Sequence, residues 1–185
     1  MTSLTVIAAA ILLMAGPDGP AMERDRTLER RVPVGPGQEV EVRGLRGSEI
    51  EFRTWDESAV KIQLRIAVAS SDEEWEERYL KHVALSVDSS REKITITYRE
   101  PEAREVSGSW LKRLFNFRWY RQMEVSGVVM IPRKNGFMTD LRFGAISLAG
   151  VQGEVRLEGQ SNTVEVRDCP RLSVIRNDYG RTKVE

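Results

Sequence analysis

The residues best suited to binding lie between Trp110 and Gln122, in the stretch WLKRLFNFRWYRQ. This segment combines basic and aromatic residues and contains no acidic residue. Aromatic rings and arginine give a large contact area at low entropic cost, so they are typical of surfaces that bind a partner protein, a glycan or a membrane. The alternative is that the rings cap one end of a β core, with the basic groups as its solvated rim. The candidate binding residues are Trp110, Lys112, Arg113, Phe115, Arg118, Trp119, Tyr120 and Arg121.

The other reactive side chains do not make a catalytic set. The chain has one histidine, His82, and one cysteine, Cys169, so it can form no disulfide within itself. His82 lies near the end of a predicted helix, where a cation is favourable without any catalytic role. Glu154 with Glu165 or Asp168 could supply the paired carboxylates of a glycan-active enzyme. Charged residues alternate with apolar ones along every predicted strand, however, so outward carboxylates are expected from solubility alone. We expect no enzyme activity, no metal site and no cofactor.

The composition is that of a folded protein without a strong overall charge. Hydrophobic residues make up 41% and charged residues 30% of the 185 residues, which argues against wholesale disorder. The 28 basic and 28 acidic residues balance, so no global field draws the chain onto nucleic acid. We therefore expect no nucleic-acid partner.

The N-terminus has the pattern of a targeting segment. The run from Leu4 to Ala15 is apolar and short for a membrane span, and Gly19 and Ala21 fit the −3 and −1 positions of a cleavage site. Residues 1–21 are predicted to be a signal peptide, with an uncleaved anchor as the alternative. The protein is then extracytoplasmic: periplasmic, at the cell surface or secreted. Residues 22–31, MERDRTLERR, are predicted to be a flexible lead-in, and residues 32–185 a single β-rich domain.

Most of that domain alternates apolar and polar residues, which predicts half-buried strands. One helix interrupts this pattern in SSDEEWEERYLKHV, with Ser71 as its expected N-cap and Glu74 completing a capping box. Its apolar residues Trp75 and Tyr79 are expected to dock on the sheet, together with either Leu80 or Val83.

The C-terminal quarter repeats one sequence pattern three times, in units that begin at Leu141, Val155 and Leu172. Each unit has a short alternating strand, a turn rich in Gly, Asn or Ser, and a second short strand. Such units fit a right-handed β-solenoid-like stack, in which every rung buries its apolar face against its neighbours. An antiparallel β-sandwich with one helix is the alternative. In the last unit, Gly180 is predicted to supply the positive φ of a turn.

The early alternating strands and the C-terminal repeat together resemble the bacterial adhesin-like domain family. In that family a glycine-led strand and a Trp-Asp turn come early, and Trp55-Asp56 is that turn here. A Val-Pro dipeptide then precedes the repeat, and Ile131-Pro132 takes its place here. The repeat that follows has the family's spacing of glycines and apolar residues. The repeat positions are Gly144, Ile146, Leu148, Gly150, Gly153, Val155 and Leu157. The resemblance covers roughly residues 32–185 and implies an exported β-solenoid-like domain without family-wide catalytic residues. The basic-aromatic insertion at 110–122 departs from that pattern.

The sequence therefore predicts a non-enzymatic, adhesin-like envelope scaffold that binds a protein, a glycan or a membrane surface. The first alternative is a structural or regulatory subunit that forms homo-oligomers through an open C-terminal strand edge. A β-helical glycan-active enzyme is the remote alternative.

Overall fold

In a computed structural model of the protein, residues 24–47, 49–70, 72–106 and 121–185 are described. The helices are α1 (Glu73–His82) and α2 (Ala103–Val106). The strands are β1 (Arg24–Pro33), β2 (Glu39–Arg43), β3 (Glu49–Trp55), β4 (Ala59–Ser70), β5 (Ala84–Ser89), β6 (Lys93–Arg99), β7 (Arg121–Pro132), β8 (Phe137–Thr139), β9 (Ala145–Ala149), β10 (Val155–Gln160), β11 (Thr163–Arg167), β12 (Leu172–Asp178) and β13 (Arg181–Val184).

The strands form two sheets with both parallel and antiparallel pairs. One sheet has seven strands in the order β1-β4-β7-β3-β9-β11-β13, and the other has six in the order β12-β10-β8-β2-β6-β5. Their inner faces share one core, in which Phe52 of β3 contacts Phe137 of β8 with ring centroids 5.4 Å apart. The prediction of a mainly β fold is confirmed.

Several pairs of consecutive strands place one strand in each sheet, and we call four of them rungs: β2/β3, β8/β9, β10/β11 and β12/β13. Successive rungs pair in parallel in both sheets. The N-terminal half adds antiparallel pairs of β4 with β1 and β7, and of β5 with β6. The pairing therefore combines features of the two architectures that the sequence left open.

The rung β2/β3 lies between strands that come much later in the chain. In the seven-stranded sheet, Phe52 of β3 is aligned with Val129 of β7 on one side and with Ile146 of β9 on the other. All three side chains are buried. The middle of the core therefore depends on contacts between distant parts of the sequence.

Two local predictions were wrong. Residues 24–31 belong to β1, not to a flexible lead-in, because Arg24 to Pro33 pair with β4 along their whole length. Helix α1 is capped by Asp72, whose side chain accepts a hydrogen bond from the Trp75 N–H, whereas Ser71 lies outside the described residues. The expected docking face of α1 is confirmed, since Trp75 and Tyr79 are buried and Val83, just beyond the helix, is buried as well.

The pair β4–β7 brings two backbones together at Gly127. This residue is aligned with Leu64 and has φ of 146°, a conformation that residues with a side chain rarely adopt. A Cβ atom there would collide with the backbone carbonyl oxygen of Gln63. The close approach therefore requires glycine.

Asparagine side chains link the turns of the C-terminal rungs. Asn162, which is buried, accepts a hydrogen bond from the Gly144 N–H at 2.9 Å and donates one to the Leu141 carbonyl at 2.7 Å. One rung further on, Asn177 accepts from the Asn162 N–H and donates to the Asn162 carbonyl. These two residues form an asparagine ladder that hydrogen-bonds backbone groups of successive turns.

Candidate binding surface on the rung turns

The binding segment predicted from the sequence falls largely outside the described residues. Trp110, Lys112, Arg113, Phe115, Arg118, Trp119 and Tyr120 all lie in the stretch 107–120, and of Arg121 only the backbone, at the start of β7, is described. Residues 100–120 connect β6 to β7, which are parallel neighbours of β2 and β3. The end of β6 and the start of β7 therefore lie on the same side of the stack as the turns between the two strands of each rung.

On that side, three successive turns carry a left-handed residue at the same position. Phe143, Ser161 and Tyr179 have φ of 64°, 57° and 61°. The first two hydrogen-bond to the next rung, since the Phe143 N–H donates to the Gln160 carbonyl and the Ser161 N–H to the Asp178 carbonyl. Neighbouring strands are about 4.8 Å apart, so Phe143 and Tyr179 are roughly 10 Å apart along one line. We call these three residues the aromatic ridge.

The rings of the ridge are exposed: the fraction of the residue accessible to solvent is 51% for Phe143 and 91% for Tyr179. A left-handed backbone costs a bulky residue about 1 kcal/mol compared with glycine. Tyr179 in particular does not recover this cost by burial. The prediction that Gly180 supplies the positive φ was wrong: Tyr179 has it, while a Cβ on Gly180 would collide with the Asn177 side chain and the Asn162 carbonyl.

Two arginines lie beside the ridge on neighbouring rungs. Arg46 and Arg142 form a parallel β-bridge, and both are exposed. Neither guanidinium has an ion-pair partner in the described part of the chain, although like charges side by side on a sheet repel each other. Their N–H groups are therefore available to a ligand.

A groove on the outer face of the six-stranded sheet adjoins this region. Its volume is about 330 Å³, and we call it the sheet-face groove. That size is at the lower end of the range for small-molecule sites. Its lining residues are Glu41, Arg43, Met138, Thr139, Asp140 and Glu158.

Glu41 holds one wall of the groove in place. Its carboxylate, almost fully buried, forms ion pairs with Arg43 and Lys93 and accepts a hydrogen bond from the Thr95 hydroxyl at 3.0 Å. Burial opposes ionisation, but the hydrogen bonds from Lys93, Thr95 and Arg43 outweigh it and hold the pKa of Glu41 below its usual range. Glu41 is therefore ionised at neutral pH and positions the Arg43 guanidinium.

The opposite wall presents two carboxylates. Asp140 is fixed because its Oδ1 accepts a hydrogen bond from the Gly44 N–H at 2.8 Å. Glu158 is exposed on β10 and has no hydrogen bond or ion pair within the described ranges. The groove thus offers donors from Arg43 and acceptors from Asp140 and Glu158 within one small volume.

The carboxylates considered for catalysis do not line this groove. Glu154 accepts a hydrogen bond from Arg156 at 2.8 Å, which holds its pKa below the usual range. Glu165 forms an ion pair with Arg167 on the outer face of the other sheet. No contact joins Glu154 to Glu165 or Asp168 among the residues that are described. An ionised Glu154 does not supply the protonated acid that glycoside hydrolysis needs.

The single histidine and cysteine have ordinary local contacts. His82 lies in the last turn of α1, where its Nδ1 is 2.8 Å from the Arg78 carbonyl oxygen. Cys169 is half-buried against the core, as expected for a small apolar residue, and its thiol donates to the Arg167 carbonyl.

Two absences hold for the ranges described above. No group of three or more His, Cys, Asp or Glu side chains there could hold a metal ion. No helix in those ranges is long and apolar enough to cross a membrane.

Neither the aromatic ridge nor the sheet-face groove was predicted from the sequence. A signal for the ridge exists, because Phe143 and Tyr179 each directly precede a glycine in a predicted turn. The groove has no such signal: Glu41, Asp140 and Glu158 come from three strands whose alignment depends on the register of the stack.

Comparisons with known proteins give remote structural likeness. No family model matches the chain, and no curated protein matches it. Among solved structures, a putative cell adhesion protein from Clostridium sporogenes is similar with a TM-score of 0.39 and 10% identity, over 86% of this chain and 99% of that one. A putative adhesin from Bacteroides fragilis is similar with a TM-score of 0.31 and 14% identity, over 86% of this chain and 61% of that one. At these scores the function has to be argued from the chain's own residues.

Proposed function

We propose that the protein is an exported, non-enzymatic scaffold of the adhesin-like class, which binds an extracytoplasmic surface through its rung turns. The observation that carries this proposal is the aromatic ridge. Phe143 and Tyr179 keep large exposed rings on left-handed backbone, where glycine would be the more stable choice. A ring that costs stability and is not buried has a use only if something outside the chain covers it.

The sequence between β6 and β7 also supports a binding role. It contains the basic-aromatic residues 110–121, whose composition suits a contact surface. The aromatic ridge would contact the partner, while the regular sheets act as the rigid support. A β-helical glycan-active enzyme is disfavoured because two of the carboxylates proposed for it, Glu154 and Glu165, are held by arginines.

The double variant Phe143→Gly with Tyr179→Gly tests the proposal. Glycine relieves the left-handed backbone at both positions, so we expect the variant to be at least as stable as the wild type in urea unfolding. Removing both rings should lower retention of the fluorescently labelled protein on intact bacterial cells at least tenfold.

Ser161→Gly is the matched control, because it makes the same backbone change on the ridge without removing a ring. It should leave retention unchanged. Equal retention of the double variant and the wild type would contradict the proposal, as would a wild type that no cell surface retains.

A second candidate function is self-assembly through the C-terminal edge. Strands β12 and β13 are the edge strands of the two sheets, and Val174 and Val184 on them are exposed by 38% and 53%. Exposed apolar residues on an edge strand favour pairing with another chain. A second copy of the protein would add its own edge strands there.

Val174→Asp should dissolve such an assembly. We expect light scattering to show oligomers that grow with concentration for the wild type and monomers for this variant. Val87→Asp is the control, because Val87 has a similar exposure of 40% on β5, the opposite edge of the six-stranded sheet. A wild type that is monomeric at all concentrations, or equal effects of both substitutions, would refute this assembly.

A further inference from the structure

We propose that the sheet-face groove binds an uncharged oligosaccharide, and that the aromatic ridge extends this site along the stack. The inference rests on the surface-binding function proposed above and assigns the chemical class of its ligand. It is carried by the groove residues Arg43, Asp140 and Glu158 together with the exposed ring of Phe143.

The charges of the groove select against an ionic ligand. A polyanion would meet Asp140 and Glu158, and a polycation would meet Arg43 and the neighbouring Arg142. Three acidic groups, Glu41, Asp140 and Glu158, are balanced by three basic ones in or beside the groove, Arg43, Lys93 and Arg142, so no charge of either sign is in surplus. Long-range attraction therefore contributes little, and recognition depends on short-range hydrogen bonds.

The hydrogen-bonding groups suit neighbouring hydroxyls. Each sugar hydroxyl both donates and accepts, so one ring can donate to the Asp140 and Glu158 carboxylates while accepting from the Arg43 guanidinium. Hydrogen bonds with a charged partner are stronger than neutral ones. Asp140 is held by the Gly44 N–H and Arg43 by Glu41, so these two groups are positioned before the ligand arrives.

The apolar parts of the site suit the faces of sugar rings. Met138 is half-buried in the lining of the groove and can contact a C–H face. Phe143 follows Asp140 by three residues, in the turn between β8 and β9. Tyr179, roughly 10 Å further along the ridge, offers a second ring to a chain of several sugars.

A microarray that carries neutral and acidic glycans tests the ligand class with the whole protein, and calorimetry on the strongest binder then gives its Kd. We expect neutral glycans to be bound, and Glu158→Ala to weaken the Kd at least tenfold. Glu158 is exposed and makes no hydrogen bond or ion pair within the described ranges, so its loss should change the thermal unfolding temperature little. Arg43→Ala should weaken binding as well.

Glu165→Ala is the matched control, because Glu165 is an outward carboxylate on the other sheet. It should leave the Kd unchanged. Binding of acidic glycans alone, binding of anionic vesicles alone, no binding to the array, or equal effects of Glu158→Ala and Glu165→Ala would each overturn the inference.

The two proposals fail in different ways. If the protein is retained on cells through Phe143 and Tyr179 but neutral glycans neither bind nor compete, the oligosaccharide inference is wrong and the surface-binding function stands. If the protein binds no surface at all, the proposed function is wrong.

Discussion

Replacing Gly127 with alanine lowers the free energy of unfolding by about 3 kcal/mol or more, or prevents folding altogether. The added Cβ would collide with the Gln63 carbonyl oxygen in the centre of the β4–β7 pair, where neither backbone can move without breaking the ladder. The collision adds an overpacking cost of about 1–3 kcal/mol. The backbone at φ of 146° adds about 1–3 kcal/mol more for a residue with a side chain. Urea unfolding followed by circular dichroism measures the difference.

Gly37→Ala separates the two contributions. Gly37 also has a positive φ, 77°, but a Cβ there would meet no atom within 4 Å. Its replacement should therefore cost only the conformational part, about 1 kcal/mol. If Gly127→Ala and Gly37→Ala cost the same, the close approach of β4 and β7 does not limit stability.

The second large effect is expected for Asn162→Ala, which should lower the free energy of unfolding by about 3 kcal/mol. The substitution leaves the Gly144 N–H without a partner and removes the hydrogen bond to the Leu141 carbonyl, both in a buried turn. An unsatisfied buried group costs about 1–3 kcal/mol. Asn177→Ala, the same change at a half-buried position one rung further on, should cost about 1 kcal/mol.

Asn162→Asp distinguishes the hydrogen bonds from simple packing. A carboxylate still accepts from the Gly144 N–H but faces the Leu141 carbonyl oxygen without a proton to donate. We expect this variant to be strongly destabilised at pH 7 and to recover part of its stability in acid, where the side chain is protonated. A stability difference from the wild type that does not depend on pH would contradict the ladder as described.

The sequence predicts the elements of this fold better than their arrangement. Alternation of apolar and polar residues locates the strands, because one face of each sheet is buried, and Trp75 and Tyr79 mark the docking face of the helix correctly. The charged segment at 24–31 was misread, since β1 lies at the edge of its sheet and of its first eight residues only Leu28 is buried. On an edge strand, composition alone resembles a solvated tail.

The conformation of the turns was also hard to predict, and the candidate site depends on it. A glycine in a turn suggests positive φ, yet Gly180 is required because the asparagine ladder leaves no room for a Cβ, and Tyr179 takes the left-handed conformation. The sheet-face groove depends on the alignment of β2, β8 and β10. No local pattern encodes that alignment.

The position of β2/β3 between later strands has a consequence for how fast the protein folds. β3 finds both of its neighbours only when β7 and β9 are present, so large loops must close before its contacts form. Topologies dominated by such distant pairs fold on the millisecond-to-second scale, far more slowly than helical bundles. Strand β3 therefore stays without its final partners until the chain has been made as far as β9, although it is complete by residue 55.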